Sequence, residues 1–111
     1  MDKNKLFETR LEEETYEIPE VGEVTYRAVS RTEQLYLTKI DDPVQREREM
    51  VVMAMVDPPM DINEVKRWQK ASPGGELEHI TVRIATISGM IDDEEETDKD
   101  VVKRFPDDAD I

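Results

Sequence analysis

Apolar residues follow two different rhythms along this chain. In TYEIPEVGEVTYRAVS, Tyr16, Ile18, Val24 and Tyr26 alternate with polar neighbours, and Pro19 to Gly22 interrupt the alternation. A period of two places alternate side chains on one face of a strand, so this stretch predicts a β-hairpin. A hairpin alone is marginal in water and needs another element to pack on.

Downstream the rhythm becomes helical. Ser30-Arg31-Thr32-Glu33 has the spacing of a capping box, in which the Ser hydroxyl accepts from the third helical N–H and the Glu carboxylate reaches back to the cap N–H. It predicts a short helix carrying Leu35, Tyr36, Leu37 and Ile40. Asp42-Pro43 suits an N-cap followed by the first helical position, and opens a second helix through VQREREMVVMAMV. This helix is expected to end at Asp57, because Pro58 and Pro59 lack N–H groups and disfavour helix before them. Asp61-Ile62-Asn63-Glu64 repeats the capping spacing for a third helix, with Val65 and Trp68 on one face. Ser72-Pro73 is the expected cap and first position of a fourth, despite Gly74 and Gly75 weakening its first turn. In it Leu77, Ile80, Ile84 and Ile87 form an amphipathic stripe, and Gly89 supplies a left-handed stop.

The ends of the chain lack such rhythms. Residues 1–14 read as a polar arm, with Phe7 and Leu11 at helical spacing. Beyond Ile91, DDEEETDKDVVKRFPDDADI holds ten acidic and three basic residues, too few apolar groups to offset the entropy of ordering. The expected organisation is a polar arm over 1–14, a hairpin plus helical domain over 15–91, and a disordered acidic tail over 92–111. The fold class is mainly α: about four short helices with an N-terminal β-hairpin.

Charge narrows the partners. With 28 acidic and 15 basic residues the formal charge is −13, which repels phosphate backbones and anionic lipid and favours basic protein surfaces. Nucleic acid and membranes are therefore not expected partners. The longest apolar run, MVVMAMV, is seven residues, against roughly 20 for a membrane-spanning helix. The opening MDKNKLFETRLEEETYE has no apolar core of signal-peptide length.

Motifs for catalysis and metal binding are missing. Cysteine is absent, which removes disulfides, thiolate sites and thiol nucleophiles. The single histidine, His79 in GELEHITVR, lacks the second His of a zinc-protease helix and reads as a surface residue on a polar helix face. No glycine pattern positions a serine nucleophile beside it. The acidic run from Asp92 fails as a calcium loop, since Thr97 stands at the glycine position and Lys103 at the twelfth. Two glycines after Ser72 lack the Lys-Ser/Thr of a phosphate loop. No enzyme activity and no cofactor are expected.

What remains is stickiness. Met50, Met53, Met55 and Met60 fall within eleven residues, and the flexible thioether side chain suits both core gaps and adaptable binding surfaces. One reading makes this run the middle helix of a small bundle. The other leaves Met53, Met55, Pro58, Met60 and Trp68 as a hydrophobic rim for a partner, with Phe105 in VVKRFPDD as an anchor in the acidic tail. The tail itself serves either solubility or electrostatic capture of a basic, aggregation-prone partner.

The order of these features resembles the tail assembly chaperones of long-tailed bacteriophages. The resemblance runs from Tyr16 to Ile91 and rests on three stretches and their spacing: YEIPEVGEVTYRAVSRTEQ, VVMAMVDPPMDINEVKRW and ELEHITVRIATISGM. An acidic extension after the Ser-Gly stop is usual in that family. The likeness implies a non-enzymatic protein of the host cell cytoplasm, absent from the mature virion. It would bind the tape measure protein, keep it soluble while the tail tube forms, and meet the tail tube protein as a second partner. It also implies a longer frameshifted form in relatives, with this chain as the short one. Self-association is a further option. The Pro58-Pro59 pair and the Ser72 to Gly75 junction depart from the family pattern. Two other classes compete: a small acidic inhibitor or nucleic-acid mimic on a basic host protein, and a minor structural subunit of the tail. A mimic needs carboxylates on a rigid surface, whereas ten of the 28 lie beyond Ile91.

Overall fold

The computed structural model describes residues 1–91. Its elements run in the order of a 3-10 helix (Lys3–Phe7), β1 (Glu13–Ile18), β2 (Gly22–Arg27), α1 (Arg31–Thr38), α2 (Pro43–Ala54), β3 (Met55–Asp57), α3 (Ile62–Ala71) and α4 (Gly74–Ile87). The expected fold class holds, four helices and an N-terminal hairpin, with a third strand added. The disorder expected for 92–111 concerns residues outside those described.

β1 and β2 pair antiparallel with Tyr16 opposite Val24 and Ile18 opposite Gly22. The turn between them is tight: the Val21 N–H donates to the Ile18 carbonyl at 3.0 Å, across Pro19 and Glu20. Pro19 presets the first turn position, and Glu20 takes the second at φ 67°, a left-handed conformation that disfavours a side chain. Relieving a left-handed residue gains about 1–2 kcal/mol and a more flexible unfolded chain returns about 0.5–1, so Glu20→Gly is expected to stabilise by up to about 1 kcal/mol. Urea denaturation of the two chains measures this; a destabilised glycine variant contradicts it.

Both capping boxes form. The Glu33 N–H donates to Ser30 Oγ at 3.1 Å and the Ser30 N–H to Glu33 Oε1 at 2.9 Å. Asp61 and Glu64 exchange the same bonds at 2.9 Å each. Arg27 adds a bidentate grip on Glu33, at 2.9 and 2.8 Å. That grip, more than the Ser30 backbone bond, holds the Glu33 carboxyl down to about 2. Asp42 Oδ1 accepts from the Val44 N–H, with Pro43 at the first helical position. The end of α1 is met by the Arg46 guanidinium of α2, which donates to the Leu37 carbonyl of its last turn and to the Ile40 carbonyl just beyond the helix. Gly89, at φ 77°, ends α4: its N–H reaches the Thr86 carbonyl at 3.0 Å, and that of Met90 reaches Ala85 at 2.9 Å. This paired closure is the one a glycine stop allows.

Two expectations about boundaries are corrected. The second helix stops at Ala54, not Asp57, because Met55 turns extended (φ −70°, ψ 120°) and β3 pairs antiparallel with β2, Met55 opposite Tyr26 and Asp57 opposite Thr25. The prolines that disfavour helix leave these residues extended, and the free edge of β2 gives their backbone groups partners. Ser72, expected to cap the fourth helix, instead closes α3: its N–H and hydroxyl both donate to the Trp68 carbonyl. Pro73 then stands at the cap position of α4 without a side-chain cap bond. β1 also begins at Glu13, two residues before the expected start of the domain, while the 3-10 helix ahead of it is exposed throughout.

One core joins all the layers. Ile18, Val24 and Tyr26 from the sheet meet Leu37 of α1, Met50, Val51 and Ala54 of α2, Val65 of α3 and Leu77, Ile80 and Ile84 of α4. α2 lies at the centre, in contact with each of the other helices, and α4 packs on both hairpin strands. The stripe of α4 is buried as expected, with Ile87 partly covered. A polar tie crosses this packing: Arg83 of α4 grips Glu14 of β1 at 2.8 and 2.7 Å, and the buried Tyr26 hydroxyl donates to the same carboxylate at 2.7 Å. Arg83 holds the Glu14 carboxyl below its ordinary value, whereas burial, then the bond to Glu14, pushes the Tyr26 phenol above its own.

Candidate partner-binding groove

An open groove of about 490 Å³ lies between the hairpin turn and the junction of α3 with α4. Its hairpin wall is Ile18, Val21, Gly22, Glu23 and Val24. Opposite are Pro58, Met60, Trp68 and Ala71, with Ser72, Pro73 and Glu76 at the junction. The local reasons for this wall are visible in the chain. The Pro19-Glu20 turn leaves Val21 77% exposed at its tip, although the residue is apolar. Pro58 and Pro59 end β3 and carry the chain across to the Asp61 cap, so Met60 sits between two elements rather than within one. Trp68 packs partly against the core, and its indole N–H donates to Glu76 Oε2 at 2.6 Å. That bond fixes the ring at the α3–α4 junction. Glu76 occupies the first turn of α4, where a carboxylate also complements the unpaired N–H groups of a helix without a side-chain cap.

Three of the six residues expected to bind a partner are thus brought together: Pro58, Met60 and Trp68. Met55 is corrected. It is 6% exposed and belongs to the core, because its conversion from helix to strand turns it under β2. Met53 is half-buried against the same core and does not line the groove. Phe105 lies outside the described residues. The residues that sequence reasoning missed are Ile18, Val21 and Val24 on the hairpin wall, and Ala71 and Glu76 at the junction. Val21 alone carried a signal, as an apolar residue inside a Pro-Gly turn. The others required knowing which elements meet.

The groove floor is apolar and its polar edge is acidic, with Glu23 and Glu76 as the charged groups lining it. Such a surface takes an apolar segment flanked by Lys or Arg: burying the segment supplies about 25 cal/mol per Å², while the carboxylates select against acidic competitors. His79 is exposed and tilts against the Tyr16 ring, centroids 4.4 Å apart, outside the groove. Among the described residues no cluster of three or more His, Asp or Glu could hold a metal ion, and no helix is long and apolar enough to cross a membrane. No protein-family model, curated protein or solved structure matches this chain.

Proposed function

We propose that this chain is an assembly chaperone of the phage tail kind, which holds an apolar, basic-flanked segment of the tape measure protein in the groove beside Trp68. The observation that carries the reading is the convergence of Pro58, Met60 and Trp68 with Val21 on one open, apolar, acid-edged surface. The order of capped helices and the acidic extension, which resemble that family, support it further. Holding requires no catalytic group. Partly exposed apolar residues edged by the carboxylates of Glu23 and Glu76 give contacts that form and break readily, as release of a client demands. The tail tube protein is the second proposed partner.

Co-expression with the tape measure protein of the same phage tests this directly. A soluble complex is expected. Val21→Asp places a charge in the groove without touching the core, and should weaken binding about tenfold or more, equivalent to about 1.4 kcal/mol. Trp68 is the only tryptophan, so its fluorescence reports occupancy. A tape measure protein that stays insoluble, with no complex recovered, overturns the reading. Recovery of the chain as a stoichiometric part of purified virions would instead make it a structural subunit.

A further inference from the structure

A second groove, of about 620 Å³, lies on the other flank of the α3–α4 junction and has the opposite character. Arg48 of α2 and Lys66, Arg67 and Lys70 of α3 line it, with Glu47 as its one carboxylate. In a chain with 28 acidic and 15 basic residues this is a marked segregation of positive charge. Gln69 orders the floor: it accepts from Arg48 Nε at 2.6 Å and donates to Glu47 at 2.8 Å. Lys66, Arg67 and Lys70 are exposed, and among the described residues none of the three makes an ion pair.

We propose that this basic groove is the seat of the chain's own acidic C-terminal segment, docked in cis. Charge complementarity names the occupant: DDEEETDKD, residues 92–100, carries seven carboxylates and one lysine. Reach permits it. The segment departs from Ile91, buried beyond the end of α4, and the groove lies at that helix's start, by Gly74 and Leu77. The 14 residues of α4 measure about 21 Å at 1.5 Å each. An extended chain spans about 3.3–3.6 Å per residue, so about six residues, up to Thr97, run that length and bring Asp98 and Asp100 to the groove. Tethering also favours cis over any foreign acidic chain, because a short linker sets an effective concentration on the order of millimolar. The two grooves share Ser72 and Pro73 as a common wall. A basic client arriving at the apolar groove therefore competes with α3 for the segment.

The full chain with Thr97→Cys provides the test, since it has no native cysteine to confuse a nitroxide label. At about 0.01 M salt, where the Debye length is about 30 Å, amide signals of α3 from Lys66 to Lys70 should lose about half their intensity or more. They should recover at about 1 M salt, where that length falls to about 3 Å. Lys66→Glu/Arg67→Glu/Lys70→Glu, all exposed positions, should abolish the loss, and Asp98→Asn/Asp100→Asn should weaken it about twofold or more. Undiminished α3 signals at low salt overturn the proposal, as does a loss that survives both variants. Mixing labelled chain with isotope-marked unlabelled chain separates the source: a loss on the unlabelled partner equal to that within the labelled chain means a second copy fills the groove, and sinks the cis assignment.

Discussion

Ile84→Ala is expected to lower the stability of the fold by about 3–4 kcal/mol, within the range of about 2–5 for buried isoleucine truncations. Ile84 is fully buried in the core shared by the sheet and α1, α2, α3 and α4. The loss combines the transfer energy of the removed methyl and methylene groups with the cavity left among neighbours that relax only in part. A domain of this size has about 5–15 kcal/mol in total, so about a fifth or more would go. Urea denaturation should show a lower midpoint with an unchanged slope. Two controls calibrate the result. Ile87→Ala, on the partly covered end of the stripe, should cost less. Leu35→Ala, at a position 45% exposed, should cost under about 0.5 kcal/mol. Equal losses at Ile84 and Leu35 would contradict the packing described.

Glu14→Ala is expected to cost about 2–3 kcal/mol, an effect out of proportion to a residue on an edge strand. The carboxylate is the shared acceptor for the buried Tyr26 hydroxyl and for both arms of the Arg83 grip, so its removal orphans that hydroxyl and cuts the tie between α4 and β1. Tyr26→Phe removes only the hydroxyl and should cost about 1 kcal/mol. Because the folded Glu14 and Glu33 carboxyls titrate below their ordinary values, their contribution is complete above about pH 4.5 and is lost as pH falls through the folded values, about 2 for Glu33. Tyr26 works in the other direction. Its folded phenol titrates above the ordinary value, so its contribution is complete below about pH 10 and is lost as the unfolded phenol ionises above it. Stability measured against pH should therefore fall on both limbs, and Glu14→Gln should flatten part of the acid limb. An acid limb unchanged in both Glu14→Gln and Glu33→Gln would exclude these ties as its cause.

The two grooves give α3 a divided role. Trp68 faces the apolar groove, while Lys66, Arg67 and Lys70 serve the basic one, and the helix is held between them by the Asp61 box and the Ser72 closure. A substitution on one flank is expected to leave the other intact. Val21→Asp should thus spare the low-salt signal loss on α3, and the Lys66→Glu/Arg67→Glu/Lys70→Glu variant should retain the apolar groove. The two proposals can then fail separately.

What the sequence determined by itself is the part governed by neighbours within a few residues. The hairpin alternation from Tyr16 to Tyr26, the Ser30 and Asp61 capping boxes, the Asp42-Pro43 start, the α4 stripe and the Gly89 stop all depend on hydrogen bonds or side-chain spacings closed locally, and all formed where expected. Tertiary structure decided the rest. Met55, Val56 and Asp57 carry no strand alternation of their own; they are extended because β2 offers an edge some thirty residues away in sequence, and that pairing sends Met55 into the core. Ser72, read from the sequence as the cap of the fourth helix, closes α3 instead, because the Trp68 carbonyl accepts from both its N–H and its hydroxyl. Pro58, Met60 and Trp68, half of the expected partner-binding set, line one groove only because the Pro19–Val21 turn folds opposite them. The basic groove is invisible in a chain of net charge −13, since charge counted along a sequence says nothing about which helix faces meet.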